Sequence, residues 1–404
     1  MAVRVKRATK VHPAAKVAKI CEEKIAFCPR NALSSRGGER FFAGTRAPLC
    51  FFCYFCAQVI KHDHDMQQLD WANLSFGYVR TNYNVRCYWR NGAWGEIEVS
   101  SSENISIHMA ATCLHYGQEA FEGQKAFRCP DGKIRAFRLE ENAARLQATS
   151  RGIMMPEVPT ELFVEMAKRA VKLNEDFVPP YESGAALYIR PLLIGTGPQV
   201  GVHPAEEFLF LIFVTPVGPY FKGGFATNDY AIVRSYDRAA PLGTGTYKVG
   251  GNYAASLLPN KVAHDAGYAC EFYLDCKEKK YIDECGAANF FGIKNNTYVT
   301  PKSTSILPSI TNDSMQHLAA DLGMKVEKRQ IPIEELNEFE EAGAVGTAAV
   351  ISPIGKIVDL ERGTEYVIAK DGQPGPVSKR LYEKFRAIQY GLEPDTHGWV
   401  TVIE

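Results

Sequence analysis

Residues 243–253 read GTGTYKVGGNY, and their reading decides the fold. Glycines 243, 245, 250 and 251 flank a single lysine, Lys248. Glycines on both sides of a lysine let backbone approach a ligand closely. The spacing is not that of a nucleotide phosphate loop, which needs a four-residue gap and a Gly-Lys-Ser/Thr ending. No GxGxxG follows a strand either. Two uses of Lys248 stand side by side. It is a solvated lysine in a flexible loop, or a desolvated one whose lowered pKa lets it form a Schiff base with a carbonyl cofactor.

The neighbouring motifs sharpen the second use. Downstream, residues 284–291 read ECGAANFF at the end of an expected strand. Glu284 is a capping or turn carboxylate there. If Lys248 carries pyridoxal phosphate, it is instead the anion that keeps the cofactor's ring nitrogen protonated. Residues 307–311, LPSIT, precede a helix; they are an ordinary capped start or a set of free N–H groups that binds phosphate. Upstream, Arg190 lies in YIRP at 188–191 and Arg145 in an expected helix. A forked guanidinium suits carboxylate or phosphate, and a surface salt bridge is the plainer use of each.

Around these motifs the pattern is mixed α/β. Residues 139–151 and 160–174 read as helices; in the second, Phe163, Met166, Ala167, Ala170 and Val171 form one apolar face, with Thr160 as cap. Residues 208–214 are a continuous apolar run whose β-branched and aromatic content favours a strand. The Pro- and Gly-rich TPVGPYFKGG at 215–224 follows as the interdomain linker. Beyond it come a helix at 252–266 closed by Gly267, strands at 270–274 and 280–284, and helices at 311–322 and 378–390. Thr311 is read as the cap of the helix at 311–322 and Gly323 as its end. The expectation is an α/β (α+β) architecture: a small domain over 66–218, a linker over 219–228, and a larger domain over 229–404.

Composition separates one further piece. The 404 residues balance 46 basic against 46 acidic side chains, and 46% hydrophobic with 23% charged content excludes wholesale disorder. The balance is a sum of two unlike parts. Residues 1–65 carry 12 basic against five acidic side chains and five of the 11 cysteines; the other 339 residues carry 34 against 41. The neutral whole argues against a nucleic-acid protein. The run at 49–57 is too short to span a bilayer and too far along to be a secretory signal. The first 20 residues hold no serine, unlike a transit peptide. Cys50, Cys53 and Cys56 with His62 and His64 match no C2H2 or C4 zinc spacing. No metal site is expected, and scattered cysteines point to the reducing cytoplasm. Residues 1–65 are expected to be a disordered or non-native extension, with Met66 as the physiological start. The motifs of serine hydrolases, zinc metalloproteases and EF-hands are missing.

Taken together the segments resemble the branched-chain amino-acid aminotransferases, in the class IV family of pyridoxal-phosphate enzymes. The likeness runs from about residue 73 to the tail around Trp399. It includes HY at 115–116, FEGQKAF at 121–127, YIRPL at 188–192, KVGGNY at 248–253, and the 284–289 and 307–309 segments. It implies a fold-type IV enzyme with the cofactor between two α/β domains. It implies that Lys248 bonds the cofactor, Glu284 faces the ring nitrogen and Tyr253 hydrogen-bonds the phenolic oxygen, with Asn289 also on the cofactor side. Arg145, the backbone of Ile310 and Thr311, and Thr347 hold the phosphate. Phe76, Tyr116, Tyr188, Arg190, Gly346 and Ala348 line the substrate site. The implied reaction passes the amino group between leucine, isoleucine or valine and 2-oxoglutarate, yielding glutamate. The released Lys248 amine moves the α-proton. A homodimer or larger homo-oligomer is implied, with neither nucleic acid nor membrane as partner.

The chain departs from the family pattern at three places: Ala287 replaces a hydroxyl residue, Tyr298 an aliphatic one and Asn312 a basic one. A cysteine pair found in some animal members is missing from 347–352. The rival readings are a D-amino-acid aminotransferase or an aminodeoxychorismate lyase of the same fold. From another class, residues 1–65 are read as a zinc or nucleic-acid module.

Overall fold

The apolar run at 208 is built as the strand Phe208–Val217, in the middle of a nine-stranded sheet. The structure is a computed structural model that describes residues 69–218 and 225–403. The extension expected at 1–65, Met66, and residues 219–224 of the linker lie outside the described residues. Among the described residues the α-helices are α1 (Thr112–Tyr116), α2 (Leu139–Gly152), α3 (Thr160–Lys172), α4 (Gly250–Asp265), α5 (Ile310–Asp321) and α6 (Pro376–Gln389). None of them is long and apolar enough to cross a membrane.

In the first sheet, Phe208–Val217 pairs antiparallel with Ala186–Gly195 from Gly195↔Phe208 to Ala186↔Val217. Thr215, Pro216 and Val217 therefore finish a strand rather than open the linker. Pro216 forgoes only its own donor, and the Thr215 hydroxyl bonds both the N–H and the carbonyl of Val79, at 2.8 and 3.1 Å. Helices α2 and α3 cover one face. The five apolar residues expected on one side of α3 are all fully buried, beside Val85, Phe210 and Ile212. Phe163, Met166 and Val171 each contribute about 1.5–3 kcal/mol on burial, and the two alanines less. Thr160 is the first helical residue and caps nothing, because Pro159 holds the position before it.

The second sheet curls on itself. Ile282–Cys285 pairs with Cys270–Leu274 on one side and with Ala288–Lys294 on the other, closing a ring that covers the free edge of Ile282–Cys285. Helices α5 and α6 pack on it through Met315, Leu318, Leu381, Phe385 and Ile388, against Phe291, Val345 and Ile351. The last strand, Val400–Ile403, does not stay with this sheet. It pairs with Ile134–Phe137 at the edge of the first, register Val400↔Phe137 to Ile403↔Ile134. Trp399 and Val400 share a core with Phe137 and α6. The boundary expected at 218–229 therefore does not divide the chain cleanly, since burying the Trp399 ring draws the terminus back across.

Candidate active site

The loop before α4 is pinned. The Asn252 side chain donates to the carbonyls of Thr244 and Tyr247, at 2.7 and 3.0 Å, and accepts from the Thr244 hydroxyl at 2.8 Å. The helix starts at Gly250, two residues earlier than expected, and the Gly250 N–H donates to the Glu119 carboxylate. A Cβ on Gly250 would run into that carboxylate. Lys248 is held on both backbone sides: its N–H donates to the Thr149 hydroxyl at 3.1 Å, and its carbonyl accepts from the Phe121 N–H at 3.1 Å.

Its Nζ donates to the Tyr253 hydroxyl at 2.8 Å and lies 4.6 Å from the centre of the Phe121 ring. The two rings meet edge to face at 4.9 Å. The solvated-loop use of Lys248 is thereby excluded. Although the residue as a whole is half-buried, its ammonium is desolvated, and burial, helped by the Arg145 charge, pulls its pKa down to about 8. Burial, with the Glu284 charge second, pushes Tyr253 up to about 12.

Glu284 is 2% exposed and paired on both oxygens. One accepts from the Asn289 amide at 2.7 Å; the other meets the Arg238 guanidinium. Arg238 also donates to the carbonyls of Gly245 and Ser305, at 2.7 and 2.6 Å. Burial raises the Glu284 pKa, and Arg238 opposes that rise. Asn289 is in turn fixed by the Leu307 carbonyl at 3.1 Å and by the Asn312 amide at 3.1 Å.

Arg145 sits at the rim of the α5 N-terminus. Its fork closes on Glu122 at 2.8 and 2.6 Å, and its remaining nitrogen donates to the Pro308 carbonyl at 2.9 Å. Glu122 is fully buried, so this pair is no surface bridge. Ser309, not Thr311, caps α5, accepting from the Asn312 N–H at 3.2 Å. Ile310 and Thr311, whose N–H groups have no partner within the helix, line a cavity of about 20 Å³ together with Thr347 and Gln124.

On the substrate side, Arg190 stacks over Phe121 and Tyr188 at 4.9 and 5.2 Å and donates to the Tyr188 hydroxyl at 3.3 Å. Its Nε is buried without a protein partner. Gly123 makes room for Tyr188, since a Cβ there would strike the hydroxyl. Phe76 meets Tyr188 edge to face at 5.2 Å. The 346–348 loop is tied to this wall by Lys125, whose Nζ donates to the Ala348 carbonyl at 2.6 Å. Tyr116 stands apart from this cluster: its hydroxyl bonds the Val200 carbonyl and its ring tilts against His115.

The sequence pattern passed over Arg238, Lys125 and the roles of Glu122 and Phe121. Glu122, Phe121 and Lys125 lay inside a quoted block, but nothing local assigned them contacts. Arg238 had no signal, because its partner Glu284 is distant along the chain. The assembled groups can bond a carbonyl through Lys248, stabilise a buried cationic ring nitrogen with Glu284, and hold an anion at α5.

Comparison with known proteins points the same way. The family model for amino-transferase class IV matches residues 119–357. The chain is 49% identical over 346 residues to the branched-chain-amino-acid aminotransferase of Haemophilus influenzae, covering 84% of this chain and 100% of that protein. It is 44% identical over 339 residues to the Helicobacter pylori protein of the same name, covering 83% and 98%. Among solved structures, the Escherichia coli branched-chain amino acid aminotransferase superposes with a TM-score of 0.69 at 28% identity, over 80% of this chain and 100% of that one. The branched-chain aminotransferase of the thermophilic archaeon Thermoproteus uzoniensis, solved with norvaline, gives 0.67 at 26%, over 79% and 100%.

Proposed function

The chain belongs to the class IV amino-transferases, and from that premise we propose that it exchanges the amino group between L-leucine, L-isoleucine or L-valine and 2-oxoglutarate, with pyridoxal 5′-phosphate as cofactor. The observation that carries this is the enclosed Lys248 amine, hydrogen-bonded to Tyr253 and set against Phe121. The residues fit the cofactor. Glu284 is a buried carboxylate kept charged by Arg238, and the α5 N-terminus offers N–H groups with Arg145 beside it. Lys248 would hold the cofactor, Glu284 its ring nitrogen, Tyr253 its phenolic oxygen, and Arg145, Ile310, Thr311 and Thr347 its phosphate, with Asn289 orienting Glu284. When bound, pyridoxal phosphate supplies a carbon that takes up the amino group and a ring that withdraws electrons from the substrate α-carbon.

The chain's own residues do the rest. The freed Lys248 amine carries the α-proton, and burial of this position favours its neutral form. Tyr253 orients that amine. Aromatic walls at Phe76, Phe121 and Tyr188 suit an aliphatic side chain, and Arg190, with its unpartnered Nε, suits the second carboxylate of 2-oxoglutarate or glutamate. Gly346 and Ala348 close the pocket from the loop that Lys125 holds. We place the enzyme in the cytoplasm, a reading supported by six free cysteines among the described residues. A homodimer is supported by Met109, Leu114, Val200 and Val202, apolar and exposed around Tyr116.

Purified Lys248→Ala tests the assignment with L-leucine and 2-oxoglutarate as substrates. The expected result is loss of the yellow colour and at least about a 10³-fold loss of turnover, the scale of a lost acid–base group. Normal turnover in this variant rejects it. Activity on D-alanine and none on L-leucine would move the wild-type enzyme to the D-specific branch.

A further inference from the structure

Gln124 opens the strand Gln124–Arg128, one residue past Gly123. Its side chain is 2% exposed, yet neither its Nε2 nor its Oε1 has a hydrogen-bond partner in the protein. A buried amide with both ends unmet is uncommon, because native structures pair nearly all such atoms. The side chain lines the same cavity of about 20 Å³ as Ile310, Thr311 and Thr347. A space of that size accepts one water or one anion oxygen. Two of the amide side chains beside it are engaged elsewhere. The Asn142 amide donates to Glu122 at 2.7 Å, and the Gln389 oxygen accepts from Arg386 at 3.0 Å.

Charge makes a neutral donor useful at this spot. Arg145 brings one positive charge to the α5 N-terminus, but two of its nitrogens are spent on Glu122, whose negative charge offsets it. An anion here would meet the N–H dipoles at the start of α5, at Ile310 and Thr311, and the Lys125 side chain, which lines the same cavity and donates to the Ala348 carbonyl at 2.6 Å. We propose that Gln124 supplies a further donor: its Nε2 binds the phosphate group of pyridoxal 5′-phosphate, directly or through one ordered water, while its Oε1 accepts from that water or a threonine hydroxyl. The proposal rests on the cofactor assignment made above and adds a residue to it.

The test compares pyridoxal 5′-phosphate with pyridoxal, which lacks the phosphate. Full-length wild type and Gln124→Leu are freed of cofactor, and the dissociation constant of each ligand is measured by absorbance titration. Gln124→Leu is expected to weaken pyridoxal phosphate about tenfold or more, the scale of a hydrogen bond to a charged group. Pyridoxal binding stays unchanged, and the cofactor-free variant melts at the same or a higher temperature, because the unmet amide is gone. Equal weakening of both ligands, or none, overturns the proposal. If Gln124→Leu does not fold, Gln124→Met carries the same comparison. A wild type that binds no pyridoxal phosphate overturns the cofactor assignment and this proposal with it, whereas a wild type that binds it beside an unchanged variant overturns this proposal alone.

Discussion

The Tyr298 hydroxyl donates to the side-chain oxygen of Asn312 across 2.8 Å. Tyr298 and Asn312, read from the sequence as standing where the class IV pattern has an aliphatic and a basic residue, are thus a single contact. Both residues are buried. Asn312 passes the order on, donating to Thr300 at 2.8 Å and to Asn289 at 3.1 Å, and Asn289 donates to Glu284 at 2.7 Å.

This pair is expected to be coupled. Tyr298→Phe costs about 1 kcal/mol by breaking a buried hydrogen bond. Asn312→Leu costs more, because it also strips Asn289 and Thr300. Urea unfolding of both single variants and the double variant should give a coupling energy of about 0.5–3 kcal/mol. Strictly additive losses would mean that the two substitutions are independent.

Arg238 and Glu284 form a buried ion pair, 5% and 2% exposed. Arg238→Met leaves the carboxylate uncompensated and should cost about 3–5 kcal/mol. Adding Glu284→Gln removes the stranded charge and should restore much of that loss, though not turnover. A double variant no more stable than Arg238→Met contradicts the pairing.

Lys248 makes the cofactor-free protein's stability depend on pH. Its folded pKa is near 8, against 10.5 for an ordinary lysine. Between those values the unfolded chain binds the extra proton, so stability rises with pH there. Below that window the cost of burying the ammonium is felt in full. Lys248→Met is therefore expected to melt higher than wild type near pH 7, with the advantage shrinking as pH climbs from about 8 towards 10.5. An advantage that widens with pH goes against this account.

Lys125 is pulled down to about 7 by burial, with the Arg386 charge adding to it. Below that pH its ammonium makes a charge-assisted bond to the Ala348 carbonyl, and above it the neutral amine donates more weakly. The KM for 2-oxoglutarate should rise as pH passes about 7. Lys125→Arg, charged at every pH used, should flatten this dependence. A wild-type KM constant from about pH 6 to 9 would remove Lys125 from the account.

Much of this was legible along the chain. The buried face of α3 followed from spacing, since one side of a helix repeats every 3.6 residues. The run at 208 was readable as a strand because Phe, Leu, Ile and Val suit a sheet buried on both faces. Boundaries were less legible. Thr160 and Thr311 carry the chemistry of caps, but Pro159 and Ser309 hold the cap positions. Thr215–Val217 has linker composition, yet the Ala186–Gly195 ladder extends through it.

By itself the sequence determined the family and the order of its motifs, and it singled out Lys248, because those signals are local and contiguous. Only the tertiary structure decided which groups surround that lysine. Arg238 reaches Glu284 because the second sheet closes into a ring. Lys125 reaches Ala348, 223 positions away, because the two sheets share the site. Val400–Ile403 joins the first sheet because Trp399 is buried beside Phe137. A periodic pattern shows which face of an element is buried, but the partner across a fold depends on how distant elements pack.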